Sequence, residues 1–106
     1  MKALINDIIK PDFLKKVLKV GDEAKIATDQ MIVAGHSMGG ATALKVGDSD
    51  PRVKTVLTHD PTKDFLDPGI SSFTKIYSKM LFILNSLQYR MDNSNTFDYF
   101  TKKFGK

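Results

Sequence analysis

Residues 33–41, Val-Ala-Gly-His-Ser-Met-Gly-Gly-Ala, constrain this chain more tightly than any other stretch. They fit G-x-S-x-G, with an apolar run at 31–34 before the serine and a helix-forming run, Ala41-Thr42-Ala43-Leu44-Lys45-Val46, after it. A serine on a tight strand-to-helix corner is forced into strained backbone angles that push its hydroxyl out of the fold. Gly35 and Gly39 flank Ser37 at two residues on either side, where any Cβ is expected to collide with the neighbouring strand and helix. The same corner aims the Met38 backbone N–H, at the helix N-terminus, toward the place where an oxyanion forms. The competing reading is a glycine-rich turn with an incidental serine. The apolar run before, small residues at both 39 and 40, and the helical run after favour a nucleophile elbow.

The rest of the chain alternates around this corner. Apolar residues at 4, 5, 8 and 9 and then at 13, 14, 17 and 18 have helical spacing, with a break or kink at Pro11 and Gly21 as a C-terminal cap. The helix after Ser37 should run to about Val46 and stop at Gly47-Asp48-Ser49-Asp50-Pro51. A second strand reads from Val53 to His59 and ends at Asp60-Pro61, where proline cannot continue a ladder. Residues 61–75 form a long polar connection, with a short helical turn near 70–73. A third strand, Met80-Leu81-Phe82-Ile83-Leu84, is apolar throughout, as a strand covered on both faces should be. Asn85-Ser86 opens a polar segment, and Phe97, Phe100 and Phe104 mark one face of a terminal helix over 95–104. Helices alternating with strands predict an α/β fold of about three parallel strands with flanking helices. Ligands in such sheets bind beyond the carboxyl ends of the strands, where Ser37, Asp60 and Asn85-Ser86 all fall.

Length sets a limit on this picture. Folds that carry the elbow are built on about eight strands and need ~200 residues or more, against 106 here. The expectation is a single partial domain over 1–106, a C-terminal-half segment of an α/β-hydrolase fold without its early strands. Apolar content of 42% and charged content of 26% are those of a globular chain. The formal charge of +4 comes from scattered lysines, such as Lys15-Lys16, Lys45, Lys54 and Lys102-Lys103, which read as a solvated surface rather than a nucleic-acid footprint. They favour, weakly, peripheral contact with an anionic lipid surface. No apolar run reaches the ~18 residues of a membrane span. The first residues lack the pattern of a signal peptide, so a cytoplasmic location is expected if Met1 is the true start. Cysteine is absent, no metal ligand pattern stands out, and neither metal nor cofactor is expected.

Acyl transfer by serine needs a base, an acid that orients the base, and donors for the oxyanion. Ser37 is the candidate nucleophile and Met38 N–H one oxyanion donor. Asp60, at the end of the next strand, is the candidate acid, although Asp-Pro is also a common turn pair. Asp64, Asp67 and Asp92 are weaker rivals. The chain holds two histidines. His36 lies inside the elbow, with its side chain expected to point away from Ser37 and pack beside the strand. His59 is sent by strand alternation to the face opposite Asp60, so it is a poor bridge from Asp60 to Ser37. The catalytic histidine is therefore expected to be missing from this polypeptide, and the isolated chain inactive or nearly so.

Residues 32–44 (Ile-Val-Ala-Gly-His-Ser-Met-Gly-Gly-Ala-Thr-Ala-Leu), with Arg52-Val53-Lys54, Leu57-Thr58-His59-Asp60-Pro61 and residues 80–86, resemble the plasma/type II platelet-activating-factor acetylhydrolases. The discriminating feature is an acid 60 − 37 = 23 residues after the nucleophile. Chlorophyllase-like esterases share that layout and stand as neighbours. The resemblance implies a calcium-independent α/β-hydrolase that releases short or oxidised acyl chains from phospholipids, with Ser37 as nucleophile, Asp60 as triad acid and Met38 as oxyanion donor. It also places that family's histidine one strand beyond the last strand here. Pro61 and Thr62 replace the aromatic residues that usually follow the acid. The alternative to a lipid or small-ester hydrolase is a non-catalytic remnant that self-associates through open sheet edges.

Overall fold

The computed structural model describes residues 1–10, 12–21, 23–63, 73, 75–92 and 94–104. Three strands form one parallel sheet in the order β1-β2-β3: β1 Met31–His36, β2 Val53–His59 and β3 Met80–Leu84. Five helices accompany them among the described residues: α1 Lys2–Ile8, α2 Phe13–Lys16, α3 Met38–Ser49, α4 Leu87–Asp92 and α5 Ser94–Phe104. A 3₁₀ turn at Ile76–Ser78 leads into β3. This is a partial α/β-hydrolase fold, as the alternating pattern implied.

One face of the sheet is built around α3. The helix buries Gly40, Ala41, Ala43, Leu44, Val46 and Gly47, a run at helical spacing, against Val33, Val53 and Val56. Leu44 and Val56 are wholly excluded from water, each worth about 2 kcal/mol of apolar burial. Gly47 does not stop the helix as expected. A Cβ there would sit inside Val56 Cγ2, so glycine at 47 sets how closely α3 approaches β2, and the helix runs on to Ser49. Its last turn is closed by Lys79, whose ammonium donates to the carbonyls of Gly47 and Asp50. Burial lowers the Lys79 pKa from its ordinary value.

Buried polar groups brace the same end of the sheet. The Asp50 carboxylate takes both Nε (2.9 Å) and Nη2 (2.6 Å) of Arg52, and Arg52 Nη1 reaches Asn6 on α1 at 2.7 Å. Asp48 Oδ1 accepts the Lys75 and Ile76 N–H groups at the start of the 3₁₀ turn.

The other face is open. The parallel register lays out three rows: Ile32, Thr55 and Met80; Ala34, Leu57 and Phe82; His36, His59 and Leu84. Ile32, Met80, Phe82 and Leu84 are 47–66% exposed. The expectation that β3 is covered on both faces therefore fails, because no described element packs on this side. The amino-terminal helices also differ from expectation. α2 ends at Lys16 with Val17 as its cap, so Gly21 caps nothing. The predicted turn near 70–73 falls mainly on residues outside those described, as do Pro11, Asp64 and Asp67. Phe100 is buried as predicted; the side chains of Phe97 and Phe104 are not among those described.

Candidate active site

Ser37 is the hinge between β1 and α3, with φ 55° and ψ −119°. Glycine enters that region freely but an L-residue does so only with strain, and here the strain is held by neighbours. The Ser37 N–H donates to the His59 carbonyl at 2.9 Å, and the Ser37 carbonyl accepts from Ala41 N–H (3.1 Å) and Thr62 N–H (3.2 Å). Serine at a helix N-cap ordinarily turns its oxygen back onto the first-turn amides. Ser37 makes no such bond. Its Oγ lies 3.2 Å from Thr62 Oγ1 instead, so the hydroxyl faces the loop after β2. Met38 begins α3, where its N–H has no carbonyl one turn back to bond.

The glycine pattern around Ser37 is partly different from the expectation. A Cβ at Gly35 would collide with the backbone of Gly39 and Gly40. At Gly39 nothing lies within 4 Å, so the steric requirement expected there is not real. It falls one residue later. A Cβ at Gly40 would meet Pro61 at 3.1 Å and the Gly35 carbonyl at 3.2 Å.

Asp60 stands at the same rim, one residue past β2, and is itself in the left-handed region at φ 46°. Its N–H donates to the Leu84 carbonyl at 2.8 Å. The carboxylate is buried, with 6% of the residue exposed. A buried carboxylate must be given donors, and Ser86 supplies two: its N–H to Oδ1 at 2.7 Å and its hydroxyl to Oδ2 at 2.8 Å. Ser86 also caps α4, its Oγ accepting the Tyr89 N–H at 3.1 Å, while Tyr89 Oη donates to the Pro61 carbonyl at 3.0 Å. Sequence reasoning gives Tyr89 no part in the site, names Thr62 only as a replacement for an aromatic residue, and places Ser86 at the strand-end rim without a bonding role. For Ser86 the signal was present: a serine directly before Leu-Gln-Tyr-Arg-Met is an N-cap pattern.

The two histidines lie side by side on the open face, ring centroids 5.2 Å apart. His36 is exposed rather than packed against the strand. His59 comes nearer Asp60 than strand alternation suggested, with Nε2 3.6 Å from Oδ2. Neither histidine hydrogen-bonds the Ser37 hydroxyl, whose partner is Thr62. Asp92 is remote from this chemistry in its bonding, accepting from Gln88 at 2.6 Å on the exposed side of α4.

A parallel sheet whose first described strand turns through a strained serine into a helix is the strand–turn–helix corner of the α/β-hydrolase class. Residues 4–103 match the family described as platelet-activating factor acetylhydrolase, isoform II, and the chain belongs to that family. It is also similar to the alpha/beta hydrolase ucsC of Acremonium sp., at 37% identity over 60 residues, which are 57% of this chain and 12% of that protein. No solved structure matches it significantly. Among the described residues no helix is long and apolar enough to cross a membrane.

Proposed function

We propose that Ser37 is the nucleophile of a carboxylic ester hydrolase, acting through a serine acyl-enzyme on phospholipid acyl esters of the platelet-activating-factor type. The observation that carries the reading is the Ser37 backbone, φ 55° and ψ −119° with the hydroxyl off the helix amides. In such a site Ser37 Oγ attacks the ester carbonyl, Met38 N–H takes the developing oxyanion, and Asp60 orients the imidazole that removes the hydroxyl proton. Neither His36 nor His59 bonds the Ser37 hydroxyl, so neither is placed to be that imidazole. Thr62, the hydroxyl partner present, is far too weak a base to replace it.

The test is hydrolysis of a short p-nitrophenyl ester, with and without added imidazole, beside labelling by a fluorophosphonate. The expected result is a rate near background that rises with imidazole, and slow labelling that maps to Ser37. Both should vanish in Ser37→Ala. An imidazole response that survives Ser37→Ala, or labelling at another residue, would overturn the reading. Comparing an acetyl with a long-chain phospholipid in the same assay tests the substrate class.

The open face supports a second reading, association rather than catalysis. Ile32, Met80, Phe82 and Leu84 expose apolar surface, and the outer edges of β1 and β3 are unpaired among the described residues. A monomer by sedimentation at tens of micromolar, with cooperative unfolding, would count against it.

A further inference from the structure

His36, His59 and Asp60 converge at the carboxyl end of β1 and β2, with one potential ligand atom from each lying within 4.8 Å of the other two. The hydrolase reading uses neither histidine, but it does use Asp60, so an ion bound here would take that carboxylate from its role in orienting the imidazole. We propose that these three side chains form a binding site for a divalent transition-metal ion of the zinc type, a two-histidine, one-carboxylate set with an open fourth position.

Geometry carries the inference. The residues His36 and His59 are register partners on adjacent parallel strands, so the sheet itself presents both imidazoles on one face. A tetrahedral zinc ion with bonds of about 2.0–2.1 Å holds its donor atoms about 3.3 Å apart. His59 Nε2 and Asp60 Oδ2 are already 3.6 Å apart. Only His36 has to swing inward; it is exposed and its ring already lies beside that of His59, centroids 5.2 Å apart. Asp60 is the fixed member. Ser86 N–H and Oγ–H each donate to one of its oxygens, as outer hydrogen bonds hold a ligating carboxylate in metal sites. Each carboxylate oxygen keeps capacity for a further partner. The donor set, two nitrogens and one oxygen, suits zinc, copper or nickel and not calcium or magnesium. Residues 36 and 59 form no ligand spacing along the chain, so the site emerges only from the register of the sheet.

The composition makes the test clean. The chain has two histidines and no cysteine, so any imidazole-dependent binding by the untagged protein maps to this site. Zn²⁺ titrated calorimetrically at neutral pH should bind at one ion per chain, and Co²⁺ should give the visible absorption of a tetrahedral nitrogen and oxygen set. His36→Asn and His59→Asn each remove one ligand from an exposed position and should weaken Zn²⁺ binding by at least about tenfold. Ser86→Ala, which only loosens Asp60, should cost roughly tenfold or somewhat more. Ser37→Ala should bind as the parent does. Circular dichroism of each variant confirms that the sheet survives. Binding that is unchanged in the His36→Asn/His59→Asn double variant would overturn the site. So would half an ion per chain with a Zn²⁺-induced dimer, which would place the histidines on two copies. Failure here leaves the Ser37 labelling result untouched, so the two readings fall separately.

Discussion

The elbow makes a prediction that the bare motif does not: of its three glycines, the one the pattern names after the serine is the dispensable one. Replace each in turn by alanine. At Gly35 the new Cβ would lie 2.7 Å from Gly40 N and closer still to the Gly39 carbonyl. These are backbone atoms, which cannot rotate away. Relief requires moving the first turn of α3 off β1 by more than half an ångström, at the expense of the bonds from Ala41 and Thr62 to the Ser37 carbonyl. Overpacking of this kind costs about 1–3 kcal/mol, and two lost hydrogen bonds add about 1 kcal/mol each, so Gly35→Ala should cost roughly 3–5 kcal/mol. Gly40→Ala meets Pro61 at 3.1 Å and needs a shift of only a few tenths of an ångström. A helix-propensity gain of ~0.5–1 kcal/mol offsets part of that, leaving a loss of about 1 kcal/mol or less. Gly39→Ala meets nothing within 4 Å at an ordinary negative φ, and should be neutral or stabilising by up to about 1 kcal/mol. Urea melts followed by circular dichroism read the order directly. Gly39→Ala as damaging as Gly35→Ala would refute the geometry of the corner.

Two further outcomes follow from single residues. Ser37→Gly should raise stability by about 1 kcal/mol by removing the positive-φ strain, seen as a higher urea midpoint, while abolishing fluorophosphonate labelling. The Asp50 pKa is lowered from 3.8 to about 2, first by the side-chain bonds from Arg52, while burial pushes it the other way. The carboxylate is therefore favoured in the folded state; its contribution of about 2 kcal/mol is present above pH ~4 and lost as pH falls through about 2. Urea melts between pH 5 and pH 2 should show that loss in the parent and a much flatter profile in Asp50→Asn.

What was legible in the sequence was whatever depends on near neighbours. The β2 and β3 boundaries followed from apolar runs closed by Asp60-Pro61 and Asn85-Ser86, and the elbow from its glycines and flanking periodicity. What was not legible depends on contacts across the fold. Gly47 reads as a helix stop until Val56 is known to lie against it. α4 is six residues long with none buried, its apolar Leu87 and Met91 facing solvent, so apart from the Ser86 cap nothing along the chain separates it from a polar loop. The pairing of His36 with His59 is a matter of sheet register. No pattern within one strand reports it.

Strain recurs at the rim, and Asp60 allows it to be separated from hydrogen bonding. Its φ of 46° is a conformation that costs most L-residues about 1–2 kcal/mol and asparagine or aspartate less. Its carboxylate also satisfies Ser86 twice. Asp60→Asn keeps a tolerant backbone and one acceptor for the Ser86 N–H, while its amide can donate to Ser86 Oγ; a loss under about 1 kcal/mol is expected. Asp60→Ala loses the acceptors and meets the full backbone penalty, for about 3–4 kcal/mol. Asp60→Gly loses the acceptors but not the backbone tolerance, and should fall about 1–2 kcal/mol short of the alanine value. The gap between alanine and glycine then measures strain, and the gap between glycine and asparagine measures the Ser86 bonds. Equal unfolding midpoints for Asp60→Ala and Asp60→Gly would show that the left-handed corner stores nothing, and the argument for a sprung rim at Ser37 would lose its nearest independent support.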